Sequence, residues 1–459
     1  MSRPVAFEIT PGGPVAGRTA VPGDKSIAHR WLLFAATAEG TSPLEDLPLS
    51  LDVRSTALAM AALSPKARPA LELWASNDGA TVEGGGSTWN EGPAEGSMSR
   101  IEVEGEGRSA LVAPAATLDC GNSGTSMRLL AGLLAAAPFP TVLTGDESLS
   151  ARPMERVAAP LRAMGALVST TDGHAPVTIE GGRLSGIEHA TSPPSAQVKT
   201  AVLLAGLAAD GATTVLETVP TRDHTERLLV ALGAPVTVQE GRVAVTAFQH
   251  GPVDGRVPGD PSSAAFLLAA AAVTGGPITI EEVGCNPTRL AFVDVARRMG
   301  ADIRVEIETE VMGEPVGTIA LDGASRLVGT RIEADEVPLV IDEIPVLAAL
   351  AAHARGETRI EGAAELRTKE SDRLAGTASG LRGLGAHAGE EGDDLVIAGG
   401  GLGGGRADAL GDHRLAMAFT VAALAGDGPS VISGAEAAAV SFPTFPAVLA
   451  RLGAGIGER

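Results

Sequence analysis

At 459 residues the chain is too long for one ordinary core and points to two or three domains, while 44% hydrophobic residues, 20% charged residues and 58 glycines exclude a disordered or fibrous protein. A formal net charge of -21 disfavours nucleic acid and anionic membrane partners, and two cysteines, Cys120 and Cys285, exclude a disulfide framework or a Cys-rich zinc site. The alanine-rich apolar stretches break before the roughly 20 residues needed to span a bilayer, and residues 1–14 lack a basic region followed by an apolar run, so a cytoplasmic location is expected.

Six segments share one design: a turn of Gly, Asp, Ser or Asn runs straight into an Ala- and Leu-rich helix, then Gly, then a strand. They begin near Pro22 (PGDKSIAHRWLLFAATAEG), Asp119 (DCGNSGTSMRLLAGLLAAAP), Pro194 (PPSAQVKTAVLLAGLAADG), Pro258 (PGDPSSAAFLLAAAAVTGG), Ile341 (IDEIPVLAALAAHARG) and Leu410 (LGDHRLAMAFTVAALAGDG). Polar residues before the apolar run and Gly after it are the start and stop signals of a buried helix. Each of the last five is followed by a second helix ending in Gly-Ala, at Gly165, Gly233, Gly300, Gly385 and Gly453. The first has its second helix at residues 52–63 but no Gly-Ala ending. In its place stands residues 64–100, whose Gly-, Ser- and Pro-rich middle reads as a mobile surface excursion.

Six units predict an α/β protein of two domains with three units each, since a long apolar helix needs neighbours on several sides. The break falls between the third and fourth units, at QHGPVDGRV (249–257), and the strand 5–10 is expected to return to the second domain. The expected division is therefore 1–22 plus 249–459, with 23–248 inserted.

The cations are informative in so acidic a chain. There are four lysines, Lys25, Lys66, Lys199 and Lys369, and three of them lie in or beside the polar turns. Arg30, Arg128, Arg152, Arg222, Arg373 and Arg414 occupy comparable places. A cation near a helix N-terminus opposes the macrodipole by roughly 0.3–1 kcal/mol, and a bound anion satisfies both. The turns therefore read as sites for phosphate or carboxylate. Asp342, Glu343, Glu370 and Asp372 accompany them, as ion-pair partners or as the acid and base of a reaction. His29, His224 and His413 lack metal-ligand spacing, and no metal or organic cofactor is expected.

Eight stretches in order, PGDKSIAHR (22–30), LDCGNSGTSMR (118–128), GDESLSARPM (145–154), SAQVKTAVLLAGL (195–207), TRDHTE (221–226), IDEIP (341–345), LRTKESDRL (366–374) and GDHRLAMAF (411–419), resemble the 5-enolpyruvylshikimate-3-phosphate synthases over essentially the whole chain. The resemblance implies two domains of three βαβαββ units, an inside-out α/β barrel in the enolpyruvyl transferase fold, around a closing interdomain cleft. It implies transfer of the enolpyruvyl group of phosphoenolpyruvate to shikimate 3-phosphate by a monomer. It places Lys25, Ser26, Arg30, Ser195, Ala196, Gln197, Arg222, Asp342 and Lys369 on shikimate 3-phosphate. Lys25, Gly124, Arg128, Arg152, Gln197, Arg373 and Arg414 are implied on phosphoenolpyruvate. Asp342 is assigned as base, Glu370 as acid, with Lys25 sharing proton transfer.

Lys199 is ranked below these, because one turn into a helix its side chain can leave the site. Many relatives carry a Lys before Thr-Phe-Pro near the C-terminus; residues 440–443 here read Val-Ser-Phe-Pro, without that cation. Gly124 stands where glyphosate-tolerant relatives place Ala, which predicts sensitivity to that inhibitor. The sister family acting on UDP-N-acetylglucosamine is the first rival. It carries Cys five residues before an Arg, whereas Glu147 stands five before Arg152, and Lys25-Ser26 replaces its Lys-Asn. A non-catalytic anion sensor is the second rival, opposed by Asp342 and Glu370.

Overall fold

The computed structural model describes residues 5–76, 100–323 and 326–459. They form two compact units. The inserted unit runs from Gly23 to Pro258 and takes in residues Glu310–Glu314; the flanking unit comprises the chain up to Pro22, Gly259–Thr309 and Pro315–Arg459. Residues 249–258, expected in the flanking unit, belong to the inserted one. There the strand Gly255–Arg256 pairs in parallel with Leu44 and Glu45, and the Val253 amide donates to Ser42 Oγ at 3.0 Å. Equivalent bonds mark the crossings at Pro22 and Pro258: Asp24 N donates to Pro258 O at 2.7 Å, and Asp260 N to Pro22 O at 2.8 Å.

The inserted unit contains α1 (Lys25–Thr37), α2 (Leu51–Leu63), α3 (Arg68–Ser76), α4 (Gly124–Leu134), α5 (Glu147–Ser150), α6 (Glu155–Ala163), α7 (Ala196–Gly206) and α8 (His224–Ala231). The flanking unit contains α9 (Pro261–Thr274), α10 (Ala291–Arg298), α11 (Val337–Val340), α12 (Ile344–His353), α13 (Arg373–Gly383), α14 (His413–Leu424) and α15 (Phe445–Arg451). The helices that open the six repeats, α1, α4, α7, α9, α12 and α14, are apolar nearly all round and form the middle of each unit's core. Small residues let them approach closely. A Cβ at Gly132 of α4 would lie 2.2 Å from the Ala201 carbonyl oxygen of α7, so only Gly fits there.

The Gly-Ala endings are helix stops of one kind. Gly165, Gly233, Gly300, Gly385 and Gly453 all have positive φ, between 74° and 110°. In each, the Gly amide bonds a carbonyl three residues back and the following Ala amide one five back, as in Gly165 N to Arg162 O and Ala166 N to Leu161 O. This double bond satisfies the last carbonyls of the helix and needs a left-handed residue that Gly adopts without strain.

Among the described residues six sheets accompany the helices, three in each unit. In one, Leu118–Asp119 runs parallel to Pro140–Thr144, which is antiparallel to His174–Glu180, itself antiparallel to Leu167–Thr171. Four further sheets share this strand order, so the unit of construction is βαβαββ. The sixth, Gly255–Arg256 with Glu39–Glu45 and Arg100–Glu106, has three strands among the described residues. It belongs to the repeat without a Gly-Ala stop. There α3 follows α2, burying Leu71, Trp74 and Ala75 at helical spacing, a helix the sequence reading missed inside the 64–100 stretch. The excursion expected in the middle of that stretch falls on residues 77–99, outside the described residues.

The strands before Pro22 account for the place of that first segment in the flanking unit. Gly17–Ala20 completes a flanking sheet against Pro277–Gly284, and Phe7–Ile9 pairs with Ser430–Ser433 and Ile456–Glu458.

Candidate active site

In the inserted unit the expected residues gather at the N-termini of α1, α4 and α7. Asp24 caps α1, its Oδ1 accepting from the amides of Ser26 (2.6 Å) and Ile27 (3.1 Å), which fixes the turn that carries Lys25. Lys25 Nζ meets Asp52 Oδ2 of α2 at 3.0 Å. Ser123 caps α4 and Ser195 caps α7, so Gly124 and Ala196 are first helical residues. The packing of α4 on α7 brings Gln197 to Arg128: Gln197 Nε2 donates to Thr125 Oγ1 at 2.9 Å, and its Oε1 accepts from Arg128 Nη1. Arg152 donates to Asn122 Oδ1 and to Ser148 Oγ. A Cβ at Gly124 would stand 2.8 Å from Arg128 Nη1 and 3.5 Å from Arg152 Nη1, so both guanidinium groups converge on that glycine.

Arg30 is placed differently from the others. It sits inside α1, buried, and donates to Thr225 Oγ1 (2.7 Å), Ser26 O (2.7 Å) and Thr200 Oγ1 (2.8 Å), tying three helices together. Burial pushes its pKa down to about 10 against the field of Glu226, and the positive charge of Arg222 adds to the depression. Arg222 itself lies half-buried in the segment just before α8. Lys199 is buried against Glu217 (2.8 Å) and Glu226 (2.6 Å). Beside Lys25, His29 shares Thr56 Oγ1 at 2.7 Å and is held neutral, its pKa pushed down to about 3 by burial.

In the flanking unit the network is ionic. Arg373, the first residue of α13 and 1% exposed, donates through Nε to Asp412 Oδ2 (2.7 Å), and its Nη2 meets Asp412 Oδ1 (3.2 Å) and Glu370 Oε2 (2.6 Å). Its Nη1 reaches Asp342 Oδ1 at 3.5 Å. Burial opposes its charge, yet Asp412, Glu370 and Asp342 outweigh burial and hold the guanidinium above the ordinary arginine range. Asp412 caps α14 through the Arg414 amide (2.9 Å), and although burial works to raise its pKa, Arg373 and His413 carry it below the usual carboxylate range. Arg414 Nη1 donates to the Asp342 carbonyl oxygen at 2.8 Å, and its Nη2 stands 3.9 Å from Asp342 Oδ2. Behind it, Glu343 accepts from Ser262, whose hydroxyl receives Arg289 Nη2 at 2.8 Å. Lys369 Nζ contacts Glu365 at 3.4 Å.

Sequence reasoning missed Asp412 and Asp52 as partners of the site cations. Asp412 did carry a signal: Gly23-Asp24, Gly259-Asp260 and Gly411-Asp412 are the same helix-capping dipeptide. Near Ser441, where a late cation was absent, the side chain is buried and its hydroxyl makes no hydrogen bond. Among the described residues no group of His, Cys, Asp and Glu could hold a metal ion, and no helix is long and apolar enough to cross a membrane.

Each unit thus converges cations on helix N-termini, and the fold with these two sets of residues defines a protein suited to small polyanions. The family model described as EPSP synthase (3-phosphoshikimate 1-carboxyvinyltransferase) matches residues 9–92 and 91–449. The chain is 46% identical over 451 residues to a 3-phosphoshikimate 1-carboxyvinyltransferase of Acidithiobacillus ferrooxidans, covering 97% of this chain and 98% of the relative. It is also 46% identical to one from Halorhodospira halophila, covering 98% and 96%. Among solved structures it resembles EPSP synthase from Acinetobacter baumannii, with a TM-score of 0.83, 41% identity and coverage of 99% and 100%. The enolpyruvyl transferase NikO from Streptomyces tendae, at 20% identity and a TM-score of 0.73 over 100% and 99% of the two chains, shares the fold. The chain belongs to the EPSP synthase family.

Proposed function

We propose that this chain is a 3-phosphoshikimate 1-carboxyvinyltransferase: it transfers the enolpyruvyl group of phosphoenolpyruvate to the 5-hydroxyl of shikimate 3-phosphate and releases phosphate, as a cytoplasmic monomer of aromatic amino acid biosynthesis. The observation that carries the reading is Asp342, a carboxylate flanked by Arg373 and Arg414 at a helix start. Lys25, Ser26, Arg30, Ser195, Ala196, Gln197, Arg222, Asp342 and Lys369 take the shikimate phosphate. Gly124, Arg128, Arg152, Gln197, Arg373 and Arg414 take phosphoenolpyruvate, with Lys25 reaching both. Planar guanidinium groups suit its carboxylate and phosphate because they bind such groups bidentately.

The chemistry has two stages. A proton passes to the methylene carbon of phosphoenolpyruvate as the sugar-ring oxygen bonds the adjacent carbon, and Asp342 accepts the hydroxyl proton. The tetrahedral intermediate then loses a proton from the new methyl group and expels phosphate, restoring the double bond. Glu370 is the acid, and Lys25 shares proton transfer. Because Glu370 is ion-paired with Arg373 at 2.6 Å, its donation requires that guanidinium to turn toward a substrate oxygen.

The test is phosphate release by the purified protein with phosphoenolpyruvate in metal-free buffer, using shikimate 3-phosphate or UDP-N-acetylglucosamine as acceptor. Release dependent on shikimate 3-phosphate alone is expected. Release with the UDP-sugar would move the activity to the sister family, and none with either would favour a non-catalytic anion-binding relative.

A further inference from the structure

Lys199 is none of the proposed ligand contacts, yet it is 1% exposed and its ammonium is fully committed. It meets Glu217 Oε2 at 2.8 Å, Glu226 Oε1 at 2.6 Å and the Thr221 carbonyl oxygen at 3.4 Å, three acceptors for its three protons. Glu217 directly follows the strand Thr213–Leu216, Thr221 lies in the middle of the following segment, and Glu226 is in the first turn of α8. Thr221 Oγ1 also donates to Glu217 Oε1. One side chain therefore pins the start, middle and end of the segment that carries Arg222. Its own backbone amide bonds Ser195 O at 3.0 Å, so the same residue sits one turn beyond Ser195, Ala196 and Gln197.

Stability does not account for this cluster. Removing an ammonium and two carboxylates from water costs several kcal/mol per ion, and well-packed apolar replacements are often neutral or stabilising. Burial indeed drives the Glu226 carboxyl above its ordinary range despite Lys199. What the ions supply and an apolar trio cannot is a fixed register between a helix start and a loop.

We propose that Lys199 is a positioning residue: it holds Arg222 in register with Ser195–Gln197 and so sets affinity for the phosphorylated acceptor. This rests on the reading of those residues as acceptor contacts. In the full-length protein, Lys199→Met raises KM for shikimate 3-phosphate by about tenfold or more, while kcat and KM for phosphoenolpyruvate stay within about twofold. Arg222→Met added to Lys199→Met costs nothing further, because the two act as one. Arg108→Met, which removes a donor to Leu204 O near the other end of α7, leaves the KM ratio unchanged. Thr221→Val and Glu217→Gln give smaller changes in the same direction and carry the test if Lys199→Met does not fold.

Amide hydrogen exchange supplies a readout without substrate. Residues 217–223 exchange faster in Lys199→Met than in the parent, while α4 does not change. If the parent releases no phosphate with shikimate 3-phosphate but this exchange difference stands, the activity reading fails and the tether survives. Equal rises in both KM values, additivity with Arg222→Met, or unchanged exchange at 217–223 would overturn the proposal.

Discussion

The two units hold their arginines in different ways. In the inserted unit, Arg30, Arg128 and Arg152 are oriented by hydroxyl, amide and carbonyl oxygens. In the flanking unit, Arg373 and Arg414 are set among Asp342, Glu343, Glu370 and Asp412. Neutral acceptors aim a guanidinium without cancelling its charge, which suits binding an anion. Carboxylates cancel much of that charge but bring groups that can take or give a proton. On the proposed function, recognition falls chiefly to one unit and proton transfer chiefly to the other.

The largest expected effects test that division directly. Asp342→Asn and Glu370→Gln lower kcat by roughly 10²–10⁴-fold with small changes in KM, the usual share of a general acid or base. Arg128→Met acts mainly on KM for phosphoenolpyruvate. Steady-state kinetics on the three variants decide it, and a pure kcat loss in Arg128→Met would break the comparison.

Acid separates the units at an intermediate scale. Burial depresses His29 in the inserted unit to about 3, and lowers His189 and His250 there as well. In the flanking unit it lowers His353. Below the unfolded histidine pKa near 6.5 the unfolded chain binds a proton that folded His29 refuses, so stability falls with pH by about 1.4 kcal/mol per unit for that group. Asp412 has a depressed folded pKa, so its contribution holds above about 3.9 and is lost only as pH falls further. Amide exchange at pH 7 and pH 5 should show the inserted unit weakening more, with His29→Gln flattening its slope. Equal weakening of both units would remove the distinction.

The smallest effect concerns Gly124. An added methyl group meets the far end of Arg128, a flexible contact, so Gly124→Ala should raise KM for phosphoenolpyruvate a few-fold and weaken glyphosate inhibition more, by inhibition assays on both forms. Equal loss for both ligands would mean that the methyl group displaces Arg128 itself.

Much of this was legible in the chain. The Gly-Ala endings located five helix stops because a left-handed Gly is nearly obligatory where a Schellman cap forms, and capping Asp or Ser residues located most helix starts. Two things were not legible. The helix α3 lies in a stretch whose Gly and Ser content hides the short Leu71, Trp74, Ala75 stripe. The partners of the cations were hidden because they depend on tertiary packing: Arg30 looked like a ligand contact but also bridges Thr200 and Thr225, and Arg373 binds Asp412, 39 positions away. Periodicity reports which face is buried; it does not report which buried ion meets which.

The strand Phe7–Ile9, held between two others in its sheet, has a consequence for the ribosome. Its partners, Ser430–Ser433 and Ile456–Glu458, are translated long after it. The inserted unit has all of its strands by Arg256, whereas the first strand of the flanking unit must wait while the rest is made, on the order of tens of seconds at roughly 5–20 residues per second in cells. Until then an unpaired strand is tethered to a unit that can already fold, and it is open to nascent-chain quality control for that interval.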